Sequence, residues 1–117
     1  LLDQIEHHVA GFAALKPHSQ RPGYRYTGAV AIYVAPEYRR RGIGRALLEE
    51  LLCRGNEAGL HTALALICGE NEASIRLHES VGFEEVGRTR EVGVKFGRVL
   101  DVVFMQKMLA PLPEDLS

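Results

Sequence analysis

Val34-Ala35-Pro36-Glu37-Tyr38-Arg39-Arg40-Arg41-Gly42-Ile43-Gly44-Arg45-Ala46-Leu47-Leu48 joins the end of a β-branched run to the start of an amphipathic one. Pro36 stops the first run, because proline offers no backbone N–H and fixes its own φ. Ile43, Leu47, Leu48, Leu51 and Leu52 then recur at helical spacing, which starts a helix close to Gly42. No Ser, Thr, Asp or Asn stands directly before it, so its first N–H groups lack a side-chain partner. Glycine lets an outside group come close to that backbone, and the helix dipole favours an anion there. The neighbouring arginines add positive charge. The stretch reads as a phosphate cradle.

Three kinds of phosphate loop compete for it. A P-loop needs Lys and then Ser or Thr after its last glycine, whereas Gly44 is followed by Arg45-Ala46. A dinucleotide fingerprint needs a further glycine where this chain has Leu47, and no strand-helix-strand start precedes it. The third kind fits. Arg39-x-x-Gly42-x-Gly44, after a strand and opening a helix, resembles the acetyl-CoA pyrophosphate loop of the GNAT N-acetyltransferase superfamily. On this motif alone, a basic turn with a glycine start remains the alternative.

A second motif lies downstream, Asn71-Glu72-Ala73-Ser74-Ile75-Arg76-Leu77-His78-Glu79-Ser80-Val81-Gly82-Phe83. Asn71 suits a helix N-cap, and Gly82 suits a left-handed helix end. The block resembles the second CoA-contacting segment of the same superfamily, with its Asn and its closing Gly-Phe. His78 stands where most members carry Tyr, which resembles the phosphinothricin and methionine-sulfoximine acetyltransferase branch. Tyr24-Arg25-Tyr26-Thr27 matches that branch's Tyr-x-Tyr-Thr segment, and Lys95-Phe96-Gly97-Arg98-Val99-Leu100-Asp101-Val102 matches its Lys-x-Gly-x-x-x-Asp-Val tail. The resemblance runs from about Val9 to Met108.

Composition sets the class. A chain of 117 residues, 46% hydrophobic and 25% charged, is sized for one soluble domain with its own core. The predicted domain covers residues 1–110, with 111–117 as a tail. A formal net charge of −1 gives no general reason to expect nucleic acid or an acidic membrane as partner. Arg39-Arg40-Arg41 is local, with no aromatic platform or further basic run beside it. No apolar run approaches the ~20 residues that span a bilayer, and no signal peptide precedes the domain, so the cytoplasm is expected. Cys53 and Cys68 lie apart in apolar segments and read as reduced core thiols. His7-His8 reads as a solvated turn, since adjacent side chains of an extended segment point opposite ways, and no metal is expected.

Residues 1–5 and 9–15 read as short strands, and residues 17–23 as a loop. Residues 26–34 form the next strand, followed by the helix from Ile43 to a C-terminal Gly59, with Glu50 and Arg54 paired on its outer side. Thr62 to Cys68 is a continuous apolar run, expected for a strand covered on both faces. A helix over 71–81 and a hairpin of 83–95 with 100–108 complete the chain. The order β-β-β-α-β-α-β-β predicts an α+β fold with a mixed, mostly antiparallel sheet. The resemblance makes that a three-layer GNAT-like sheet flanked by helices.

The resemblance also assigns roles. The backbone of Ile32, Tyr33 and Val34 would hold pantetheine and reach the thioester carbonyl. Amides across Arg40, Arg41, Gly42, Ile43, Gly44 and Arg45 would hold the pyrophosphate, and Asn71 would touch the pantetheine arm. His78, with an ordinary pKa of about 6.5, is the catalytic candidate, or else a partly buried structural histidine. Acetyl-CoA is the expected co-substrate and a small amine, perhaps an amino-acid analogue, the acceptor. Two departures stand out. Ala29 occupies the position of the branch's general-base glutamate, which leaves another group, a water or nothing to take the proton, and Val99 occupies a frequent Trp position. An N-acetyltransferase and a catalytically silent CoA-binding domain are the two classes left. The family fold normally begins with a further strand and two helices, so the chain is expected to be shortened or to start upstream. With those helices absent, Phe12 and Leu15 are expected to face water, and a homodimer is expected to cover them.

Overall fold

A computed structural model describes residues 3–6 and 10–116 of the chain. Eight principal elements follow in the predicted order: β1 (Asp3–Glu6), β2 (Gly11–Pro17), β3 (Thr27–Val34), α1 (Ile43–Glu57), β4 (Thr62–Cys68), α2 (Glu72–Ser80), β5 (Glu84–Lys95) and β6 (Arg98–Met108). The turn expected at His7-His8 lies outside the described residues. The six strands form one sheet in the order β1-β2-β3-β4-β6-β5. Every neighbouring pair is antiparallel except β3 and β4. The α+β class and the mixed, mostly antiparallel sheet are therefore as the sequence predicts.

Register decides which side chains meet. Leu15 pairs with Val30, Ala13 with Ile32, Gly28 with Ala63, and Ala65 with Met105. Paired residues point to the same face, so these positions share one side of the sheet. Leu47, Leu48, Leu51 and Leu52 of α1 bury themselves there, together with Ile75, Leu77 and Val81 from α2 and its exit. Full burial of a leucine contributes ~1.5–3 kcal/mol, so this stripe carries much of the stability of the fold. Both helices thus lie on one face, and the described residues build two layers.

The opposite face is open. Phe12 is 38%, Tyr33 48% and Leu66 59% exposed there. This corrects three expectations. β4 is covered on one face only, because Ala63, Ala65 and Ile67 turn to the helices while Leu66 turns away. Leu15 does not face water; its odd-numbered position puts it under α1 at 0% exposure. Cys53 is an exposed thiol and not a core one, lying against Glu57 at 3.5 Å, while Cys68 is half-buried and both are free. The Glu57 carboxylate beside it holds the Cys53 thiol above its ordinary pKa. The expected Glu50–Arg54 pair forms at 3.0 Å on the outer side of α1.

One close approach fixes β2 against β3. A Cβ at Gly11 would run into the Tyr33 carbonyl oxygen, so only glycine fits there without moving a strand. Gly11→Ala is expected to cost ~1–3 kcal/mol, the usual effect of forcing extra volume into a packed site. Gly23→Ala, whose methyl would meet nothing within 4 Å, is expected to stay within ~0.5 kcal/mol. Urea-unfolding midpoints of the two variants measure the contrast, and equal midpoints would refute it.

Candidate functional site

The parallel pair β3–β4 is short. It holds only from Thr27↔Thr62 to Ala29↔Leu64, after which the two strands part. β3 stays paired to β2 up to Val34↔Gly11 and β4 to β6 up to Cys68↔Val102, so the gap opens inside the sheet. The backbone of β3 alternates in direction along its antiparallel ladder. Two bonds set the phase: Ala35 N–H donates to the Ala10 carbonyl at 2.7 Å, and His18 N–H to the Thr27 carbonyl at 3.3 Å. Odd-numbered residues therefore turn their N–H and C=O toward β2, and Ile32 and Val34 turn theirs into the gap. The Val34 carbonyl is taken by Arg39 Nε at 3.1 Å. The Ile32 amide and carbonyl and the Val34 amide remain on offer.

α1 begins at the mouth of this gap. Gly42 is its N-cap, left-handed at φ 77°, and no side chain caps the helix. A residue with a Cβ is strained at that φ, which is what the glycine supplies. The first N–H to bond within the helix is that of Ala46, to the Gly42 carbonyl at 3.0 Å. The amides of Ile43, Gly44 and Arg45 are thus open to an outside acceptor, at the positive end of the helix dipole. Arg40, also left-handed at φ 64°, makes the preceding turn. Together these features form a concave donor surface suited to an anion.

A cavity of about 590 Å³ joins the two features. β3 contributes Ile32, Tyr33 and Val34, and the turn and α1 contribute Tyr38, Arg39, Arg40, Gly42, Gly44 and Arg45. α2 closes the far side with Asn71, Ala73, Ser74 and Leu77. The lining carries three arginines and no carboxylate, so its field is positive. Asn71 Oδ1 accepts the Ser74 N–H at 3.1 Å and so starts α2 as its N-cap. Gly44 lets α1 and α2 approach, since a Cβ there would stand 3.2 Å from Leu77 and 3.4 Å from Val34.

Most of the residues singled out by sequence meet here, with three differences. Tyr33 borders the cavity from β3, but its N–H and C=O face β2 and its side chain lies on the open face of the sheet. Arg41 lies over the Tyr38 ring at 5.4 Å, and Ile43 packs on the core, so neither side chain lines the cavity. His78 is 2% exposed and is not among the lining residues. Its Nδ1 donates to the Ser74 carbonyl at 2.8 Å, and its ring meets Phe83 edge-on at 5.0 Å. Helical spacing explains this. Asn71, Ser74 and Leu77 follow one another at intervals of three along one face, and His78 is a further 100° around the helix, beside Ile75. The same spacing could have found Ser74 and Leu77, which the sequence reading left out. Among the described residues, no group of three His, Cys, Asp or Glu is placed to hold a metal.

An uncapped helix N-terminus at the mouth of a parted mixed sheet defines an anion-and-backbone site for an extended ligand. The comparisons agree with that class. Residues 1–83 match the model of the Acetyltransferase (GNAT) family, and the chain belongs to that family. It is 43% identical over 101 residues to the L-methionine sulfoximine/L-methionine sulfone acetyltransferase of Salmonella typhimurium, covering 86% of this chain and 59% of that one. Among solved structures, a phosphinothricin acetyltransferase from Sinorhizobium meliloti in complex with acetyl-CoA superposes with a TM-score of 0.84 at 40% identity, covering 86% of this chain and 55% of that one. The ribosomal-protein-alanine N-acetyltransferase of Brucella melitensis superposes with a TM-score of 0.81 at 46% identity, covering 86% and 62%. The chain thus spans about 60% of the length of these relatives.

Burial pushes the His78 imidazole below its ordinary pKa, against a smaller opposing effect of its bond to Ser74. The unfolded chain therefore takes up this proton first as pH falls. Stability from His78 is full above about pH 6.5 and is lost as pH drops through that value toward the lower folded one. Thermal melts between about pH 7.5 and 5 should show the wild-type melting temperature falling relative to that of His78→Gln. Parallel profiles would overturn the assignment of a neutral, buried imidazole.

Proposed function

We propose that this chain binds acetyl-CoA and transfers its acetyl group to the amine of a small molecule. The observation that carries the reading is the uncapped start of α1 at the mouth of the β3–β4 gap. The diphosphate of CoA is an anion matched to the open amides of Ile43, Gly44 and Arg45, with Arg40 beside them. The pantetheine arm carries amides, and the free backbone groups of Ile32 and Val34 suit them as a strand edge suits a peptide. Asn71 stands across the cavity, able to donate through its amide nitrogen while its oxygen caps α2. The cavity volume lies within the range of cofactor clefts.

Acceptor and assembly belong to the same proposal. The Salmonella and Sinorhizobium relatives are named for methionine sulfoximine, methionine sulfone and phosphinothricin, which supports an amino-acid analogue as acceptor. In the reaction the neutral amine attacks the thioester carbonyl, the C–S bond breaks, and the amine proton must leave. A homodimer is supported by the open sheet face with Phe12, Tyr33 and Leu66, and by the edge position of β1. Free Cys53 and Cys68 support the cytoplasm.

The second reading, a silent CoA-binding domain, is favoured by one observation: the cavity lining holds no Asp, Glu or His. Calorimetric titration tests binding first. Wild type is expected to bind CoA, Gly44→Ala to weaken it modestly, and Gly44→Asp to abolish it. The two variants share the contact with Leu77 and differ by a carboxylate facing the diphosphate. Equal affinity of the two would place the phosphates elsewhere.

Thiol release from acetyl-CoA in the presence of methionine sulfoximine, phosphinothricin and simple amines tests catalysis. Turnover above the amine-free rate is expected, and its absence beside intact CoA binding would favour the silent domain. Ala29→Glu is expected to raise the rate by up to ~10²–10⁴-fold, the usual effect of a positioned base. His78→Ala separates two roles: loss of turnover at unchanged CoA affinity would make the histidine the proton carrier. Its burial instead supports loss of stability as the main effect.

A further inference from the structure

The hairpin of β5 and β6 contains an irregularity that the catalytic reading does not use. Between Thr89↔Val102 and Gly93↔Leu100, β5 advances four residues while β6 advances two. The extra residues form a bulge around Glu91, whose φ of 57° is costly for a residue with a side chain. Asp101 lies directly opposite and holds the bulge. Its Oδ1 accepts the Glu91 N–H at 2.9 Å, and its Oδ2 accepts Arg88 at 3.1 Å. Those two donors keep the Asp101 carboxyl below its ordinary pKa, the Glu91 amide being the larger cause.

Asp101 also reaches out of the hairpin. Its backbone carbonyl accepts the Gly69 N–H at 2.9 Å, just past the end of β4. Gly69 passes so close that a Cβ there would stand 2.9 Å from the Arg88 guanidinium and 3.3 Å from the Asp101 Cβ. Glu70, the next residue, is paired with Arg98 of β6 at 3.1 Å. Gly69 and Glu70 are the two central residues of a turn closed by Asn71 N–H to the Cys68 carbonyl at 2.9 Å. The residue that leaves the turn is Asn71, which lines the cavity and caps α2.

We infer that Asp101 is a positioning residue that, through the Gly69-Glu70 turn, sets where Asn71 and the first turn of α2 stand over the cavity. The chain of contacts is continuous: bulge and Arg88 to Asp101, Asp101 to Gly69, and the turn to Asn71 and Ser74. Removing the carboxylate frees Glu91 to leave its strained φ and frees Arg88 to move against Gly69. The turn then loses its fixed seat, and with it the N-cap.

The inference rests on the CoA reading for its binding readout alone, so two measurements are paired. In amide NMR spectra of the free protein, Asp101→Ala is expected to shift Asn71 and Ser74 and to speed exchange of the Ser74 N–H, although no replaced atom touches α2. Titration with CoA is expected to show affinity weakened by about fivefold or more, the lower end of common site-to-site coupling. The KM for acetyl-CoA should rise with it, at nearly unchanged kcat. Asp101→Asn, which keeps an acceptor for the Glu91 amide, should recover part of both effects. If Asp101→Ala fails to fold, Arg88→Gln is expected to give the same shifts in weaker form. A lowered melting temperature with unmoved Asn71 and Ser74 amides would reduce Asp101 to a structural role and overturn the inference. If wild type binds no CoA, the reading of the cavity fails by itself, and the spectra still decide the coupling.

Discussion

The parting of β3 from β4 after Ala29 and Leu64 is the constraint on which the site depends. Two parallel strands that separate inside a sheet give up ladder hydrogen bonds, and an unpaired backbone group is costly unless something else satisfies it. Here each strand keeps its outer partner, since β3 pairs with β2 over seven residues and β4 with β6 over seven. The inward-turned groups of the last residues of both β3 and β4 lose a neighbour. Arg39 Nε satisfies one of them, at Val34, from the very turn that starts α1. The same short segment therefore holds the gap open and places a helix N-terminus at its mouth.

The arginines of that turn are unequal, which bears on how an anion would be held. Arg39 braces β3, Arg41 stacks on Tyr38, and Arg45 pairs with Glu49 at 2.7 Å on an exposed stretch of helix. An exposed pair of that kind contributes little to stability and gives way easily to a competing anion. Arg40 has no side-chain partner among the described residues, and its left-handed backbone makes the turn. The fixed part of the donor surface is then the peptide backbone of 43–45 with its dipole. The guanidinium groups surround it with positive charge. Backbone donors cannot be lost by side-chain substitution, so Gly42 and Gly44, which control access to them, are the sensitive positions.

Much of this was legible in the sequence, and the limits are physical. Both helices were readable because their apolar periodicity and their termini agree: glycine before α1, and Asn71 before α2. The mixed sheet followed from the order of elements. Side-chain direction within a strand was not readable, because apolar runs such as residues 62–68 have no polar alternation to mark a face. That is why Leu66 emerged exposed and Leu15 buried. His78 was drawn to the site by its motif position, whereas the helix turns it to the core one residue after Leu77. The bulge at Glu91 carried no signal at all, since nothing in Arg90-Glu91-Val92 favours a left-handed residue. The carboxylate that braces it is Asp101, ten residues away, and a local reading does not contain it.

The two faces of the sheet divide the labour in the proposed reaction. On the helix face lies the cavity proposed for diphosphate and pantetheine, its lining without a carboxylate or histidine. Ala29 is the last residue of β3 still paired with β4, and its odd-numbered position turns it to the open face with Ala31 and Tyr33. An extended ligand that entered from α1 and followed the gap along β3 would reach this vertex with its reactive end. α1 packs on the helix side of β3, so the proposed acceptor amine would approach from the open face, past Tyr33 and Leu66. On that reading, proton removal would belong to the same face. A carboxylate introduced at residue 29 would stand where that path ends, so the proposed transfer would use different strand positions from the proposed cofactor contacts.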